Sequence, residues 1–283
     1  MSDAMSETHQ GPETKVPGQP HPYHMVHPSA WPIMGSVSAL VTALGAVHFF
    51  HGGTPIIMII GLAGVLLTMF VWWRDVIHEA QGEHAHTAIV RNGLRYGMGL
   101  FIASEVMFFV AFFWAFFNSG LLVNPTISQF PPPNVHVMEV WGIPFLNTCI
   151  LLSSGLCVNW AHHSLRHGNR NGLKQGLALA VILGFSFLAL QGYEYGHAAF
   201  HFRDGVYPTV FFMATGFHGF HVFVGACFLT VNFLRSLRGD FTPREHVGFE
   251  AAAWYWHFVD VVWIFLFVWV YWWGSTANLP GAG

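Results

Sequence analysis

Seven apolar stretches alternate with short polar ones along the chain, at about 31–50, 55–73, 97–117, 143–160, 175–195, 209–234 and 251–273. Each approaches the ~20 residues that an α-helix needs to cross a bilayer. None alternates apolar and polar residues at the period of a half-buried strand. The pattern predicts an all-α polytopic membrane protein with seven transmembrane helices filling a membrane domain over 31–274.

Punctuation between the stretches supports this division. Trp31-Pro32 opens the first, where proline is tolerated in a helix's first turn, and His51-Gly52-Gly53-Thr54-Pro55 separates it from the second. Trp72-Trp73 followed by Arg74-Asp75 reads as an aromatic belt at a membrane edge. The polar run 74–95 is charged and has no proline, which allows a short surface helix there. Residues 121–143 contain Pro131-Pro132-Pro133 and are expected to form a long loop. Residues 1–30 are polar and rich in Pro and Gly, without the apolar core of a signal peptide, and are expected to form a mobile tail.

Composition strengthens the membrane reading. Charged residues make up 9% and hydrophobic ones 53%, against roughly 25% and 45–50% in soluble domains. Cationic residues are divided unevenly. Lys15, Arg74, Arg91, Arg95, Arg166, Arg170, Lys174, Arg235, Arg238 and Arg244 fall on one side of a seven-span chain, and Arg203 alone falls on the other. The positive-inside rule then puts the N-terminus inside and the C-terminus outside. No basic patch suits nucleic acid. Cys149, Cys157 and Cys227 lie in apolar segments without a CxxC, which suggests neither a disulfide framework nor a zinc site.

Candidate chemistry is sparse. Glu105 interrupts the third stretch, GMGLFIASEVMFFVAFFWAFF, with Phe101, Ile102, Phe108 and Phe109 about one turn away. A charge there is costly, so the residue defaults to a functional hypothesis beside the plainer one of a neutral acid bonded to a neighbouring helix. Desolvation disfavours the carboxylate, and no Lys or Arg falls at that depth. A neutral acid is therefore expected, facing lipid or the protein's own cleft. Among 19 histidines, His218 and His221 can share a face of the sixth span, and His257 and Asp260 a face of the seventh. His221 and His257 could face each other across a haem, but interhelical hydrogen bonds are the favoured role of all four residues. The His- and Pro-rich segment 21–32 fixes no ligand geometry. A haem-bearing membrane cytochrome and an ion-coupled transporter remain the alternatives, although no span is visibly broken at mid-depth.

Several blocks resemble subunit III of the haem–copper cytochrome c oxidases. They are WWRDV at 72–76, GLRYG at 93–97, SEVMFF at 104–109, FFWAFF at 112–117, LNT at 146–148, WAHHSL at 160–165, ATGFHGFH at 214–221 and GFEAAAWYWHFVDVVW at 248–263. The resemblance implies a non-redox core subunit of a proton-pumping oxidase, without haem, copper or an active site of its own. Haem and copper would sit in partner subunits I and II, and cytochrome c would be met only indirectly. It also implies a V-shaped cleft filled by phospholipids, separating the first two helices from the other five. Lipid or cleft positions would fall at Trp73, His86, Glu105, Trp114 and Arg235. Proton uptake into subunit I, and its protection during turnover, are the implied roles. His78 departs from the arginine of animal mitochondrial relatives, and the tail is longer, which favours a bacterial inner membrane over a mitochondrial one.

Overall fold

The computed structural model describes residues 21, 23–82, 86–120 and 138–276. Most of the expected tail, and most of the expected loop over 121–143, lie outside these residues. Among the described residues seven helices are long and apolar enough to cross a membrane, and there is no strand. They are α1 (Trp31–Phe50), α2 (Ile56–Gln81), α3 (Ala88–Gly120), α4 (Ile143–Arg166), α5 (Arg170–Gly196), α6 (Val206–Arg238) and α7 (Val247–Leu266). A π-helical turn, Phe267–Trp273, continues α7 to Gly274–Thr276. The chain forms two compact units, divided between Leu94 and Arg95.

In the first unit α1 packs on α2 through glycine. A methyl group at Gly45 would strike the backbone of Met58, and one at Gly61 would strike the backbone of Thr42. Such close approach is how membrane helices gain dispersion contacts when lipid is as apolar as their side chains. Trp31 Nε1 donates to Asp75 Oδ2 at 2.7 Å, and His24 Nε2 lies 3.3 Å from Glu79 Oε2. These contacts give the polar end of α2 tertiary partners. The 74–95 run is accordingly not a separate surface helix. It is divided between the overhanging ends of α2 and α3, which carry helix past the apolar spans.

In the second unit α7 is central. Trp256, Val259, Trp263, Leu266 and Val270 are fully buried. Trp256 fits between helices because Gly184 on α5 and Gly225 on α6 leave room for its indole; a Cβ at either would meet it at 2.7 or 2.8 Å. Helices α4 and α5 form a tight hairpin. Gly168 takes φ +72° after α4, a conformation open to glycine, and the Asn169 side chain then caps α5 by accepting from Gly172 N at 3.0 Å. Gly176 lies against Ala161, and Ser154 Oγ donates to the Ala180 carbonyl at 2.9 Å. Helix α6 ends at Gly239, φ +84°.

Candidate functional site

Glu105 on α3 meets His221 on α6, their Oε2 and Nε2 atoms 3.0 Å apart. The partner is neither Lys nor Arg but a histidine, which a search for those two residue types passes over. His221 Nδ1 lies 2.7 Å from the Phe217 carbonyl, one turn back on its own helix. A carbonyl only accepts, so Nδ1 carries a proton. In the neutral ring Nε2 is then the acceptor, and Glu105 donates to it as an acid. Shifting that proton gives carboxylate and imidazolium instead. Both forms are net neutral, which is how an ionisable pair lowers its cost inside a bilayer.

Aromatic rings enclose the pair. Phe109, Phe108, Phe258 and Tyr255 have ring centroids 5.0, 6.0, 6.2 and 6.3 Å from that of His221. Phe101 stacks on Tyr255 at 6.3 Å. The Glu105 side chain keeps 23% exposure and His221 9%. The acid therefore lies at the rim of the bundle, bonded inward. Further along α3 a groove of about 420 Å³ runs between α3 and α7. It is lined by apolar side chains alone, among them Val106, Phe109, Val110, Trp114, Val261 and Phe265.

The other intramembrane polar residues find partners elsewhere. His218 Nε2 donates to the Val259 carbonyl at 3.2 Å across α6 and α7, its ring 5.0 Å from Trp263. His257 does not pair with His221. Its Nε2 lies 2.9 Å from Asn159 Oδ1 on α4, and its Nδ1 3.3 Å from Asp260 Oδ2. Asp260 fills the space left by Gly155, where a Cβ would collide with its carboxyl. His218, His221 and His257 thus each bond across helices, whereas Asp260 bonds within its own helix.

Positions assigned through the family resemblance are scattered. Trp73 and Trp114 are 61% and 67% exposed, as side chains facing lipid would be. The His86 carbonyl accepts from Arg91 Nη1 at 2.9 Å. Arg235 is turned inward, with Nε 3.5 Å from Asp240 Oδ2 and its guanidinium 4.7 Å over the Phe241 ring.

Two clusters escaped the sequence reading. Arg95 grips Glu250 through Nε at 2.7 Å and Nη2 at 3.2 Å. Beside them, His162, His246 and Glu250 place one potential ligand atom each within 4.8 Å of one another. Two histidines and a carboxylate suit zinc in kind. Here, however, both Glu250 oxygens already face a guanidinium, and the two imidazoles lie 3.4 Å apart as a hydrogen-bonding pair. The second cluster surrounds Glu194, which is buried near the end of α5. Gln191 Nε2 donates to Tyr271 OH at 3.3 Å, and Tyr195 OH to Thr215 Oγ1 at 2.7 Å. The i, i+3 and i+4 spacing of Gln191, Glu194 and Tyr195 was the available signal.

A family model described as cytochrome c oxidase subunit III matches residues 21–275. The chain belongs to that family. It is 52% identical over 258 residues to cytochrome c oxidase subunit 3 of Dugong dugon, covering 91% of this chain and 99% of the relative. Identity to the Oryctolagus cuniculus protein of that name is 52% over 258 residues, with coverage again 91% and 99%. With the Marchantia polymorpha protein of that name it is 54% over 263 residues, covering 91% and 98%. This subunit III family member is thus a multi-pass membrane component of cytochrome c oxidase, and it works in a complex with other oxidase subunits.

Proposed function

We propose that this chain is a non-redox subunit that holds phospholipid against its membrane face and sustains proton uptake into the catalytic subunit. Haem and copper belong to partner subunits I and II on this reading. The membrane is a bacterial or mitochondrial inner membrane, with the N-terminus inside. The observation that carries the lipid role is the α3–α7 groove beyond Glu105, whose exposed lining is almost wholly apolar. Such a lining suits an acyl chain. Exposed Trp73 and Trp114 fit lipid contact as well. The non-redox role is supported by the histidines of the spans. His221 and His257 each have both ring nitrogens beside protein partners, and His218 has one bonded to a helix carbonyl.

Filling the groove tests the lipid role. Val110→Trp and Val261→Trp, made in the assembled oxidase, are expected to lower tightly bound phospholipid per complex, measured by mass spectrometry of lipid extracts. Initial turnover stays near normal, and activity then decays faster over successive turnovers. Unchanged lipid content together with unchanged decay would refute the reading.

A further inference from the structure

We infer that the outer face of α4, where α7 lies behind it, is the surface that docks a transmembrane helix of another oxidase subunit. Ser153 and Asn159 are both exposed on this face. Ser153 lies near the middle of α4, Ile143–Arg166. Asn159 is level with His257, which is seven residues, or about 10 Å of helix, beyond the Arg95–Glu250 pair. Both positions therefore fall within a hydrocarbon layer of about 30 Å.

Hydrocarbon offers these groups nothing, and the described residues do not satisfy them. Ser153 makes no hydrogen bond among the described residues. Asn159 uses its carbonyl oxygen to accept from His257 Nε2, which leaves both N–H bonds of Nδ2 directed away from that partner. Hydroxyls on other faces of this unit behave differently. Ser104, Ser186 and Thr230 donate to Phe101, Ile182 and Ala226 carbonyls of their own helices, at 2.6, 2.8 and 2.7 Å. The exposed faces of α5 and α6 carry Leu179, Ile182 and Phe185, and Phe220, Phe223 and Val224. Those faces suit lipid. Among the described residues, the α4 face presents a hydroxyl and an amide that are unmet at membrane depth, and in a bilayer such groups are answered by another helix.

His257 and Asp260 give the face its rigidity. The line from Asp260 through His257 to Asn159 runs from the buried core to the surface, so the Asn159 amide is held in place before the partner arrives. The partner helix must bring an acceptor to Asn159, either a side-chain oxygen or a carbonyl freed by a local break. It must also bring an acceptor or donor for Ser153. The inference rests on assembly with other oxidase subunits and not on the lipid reading of the α3–α7 groove.

Photo-cross-linking in the intact, membrane-embedded oxidase tests it. A benzophenone amino acid replaces Leu156, which is 69% exposed between Ser153 and Asn159, and separately replaces Ile182 on α5 and Phe223 on α6. Position 156 is expected to give an adduct with another oxidase subunit, and positions 182 and 223 to give phospholipid adducts. A phospholipid adduct or a self-adduct at 156 overturns the inference, as do protein adducts confined to 182 or 223. In parallel, S153V removes a hydroxyl with no bond among the described residues. It should leave the chain's own melting unchanged while reducing its retention in the complex during detergent titration by about threefold, the effect of one interhelical hydrogen bond. Unchanged retention overturns the inference even where the chain folds normally.

Discussion

Replacing Glu105 separates the ways in which a carboxyl group can act at this depth. His221 Nδ1 donates to the Phe217 carbonyl, so Nε2 is the acceptor in the neutral ring. A glutamine at 105 donates its amide N–H to that atom and keeps the 3.0 Å bond to α6. Glu105→Gln should therefore cost well under ~1 kcal/mol. Glu105→Leu leaves Nε2 unanswered and removes one interhelical bond, worth about 0.6 and up to about 1.7 kcal/mol in membrane proteins. Glu105→Lys places an ammonium beside His221 and forces a charge where insertion scales set the cost at about 2.5–3.5 kcal/mol. The expected order of stability is wild type, Gln, Leu, Lys, read by thermal and detergent unfolding of the purified oxidase. Initial turnover and proton uptake should stay near normal in the Gln variant. Gln as damaging as Lys would show that the pair is held as an ion pair. Loss of proton uptake by an intact, fully assembled Gln complex would make Glu105 a proton carrier and refute the reasoning.

Other outcomes are fixed by packing and charge. Gly184→Ala or Gly225→Ala must displace Trp256 by roughly 0.7 Å to restore ordinary carbon contacts, destabilising the chain by about 1–3 kcal/mol; Trp256→Phe should relieve the Gly184→Ala variant in unfolding assays. Arg95→Met strips Glu250 of its guanidinium partner. The pair is partly exposed, so the loss should be about 1 kcal/mol, with recovery when Glu250→Met is added, both followed by thermal melting. Reporter fusions after Gly168 and after Ser128 should read inside and outside respectively, given the distribution of Lys and Arg. The reverse pattern would overturn the orientation.

The spans were legible because composition over some twenty residues is a local signal. The seven helices fall where the apolar stretches do. Their ends were less legible. Hydropathy stops at the membrane edge, whereas α2 continues to Gln81 and α3 begins at Ala88, ends to which Asp75, Glu79 and Arg95 contribute tertiary bonds. Glu105 stood out as a lone acid in an apolar run, but its partner lies 116 residues away on α6. Spacing along one helix shows which residues share a face and not which helix that face meets. Asn159 was invisible for the same reason. A polar residue near the end of a span looks ordinary until His257, 98 residues later, is found beside it. The His162–His246–Glu250 group likewise joins α4 to the start of α7.

The central claim is that this family member serves the oxidase without carrying its redox centre. It is tested most directly by purifying the oxidase from native membranes through a tag on this chain, recording haem spectra, metal content and turnover, and then repeating the spectra and metal analysis on the chain released by detergent. The complex should contain haem and copper and reduce oxygen, while the released chain should hold neither. A stoichiometric haem band that stays with the released chain, and vanishes in His221→Ala or His257→Ala, would contradict the account.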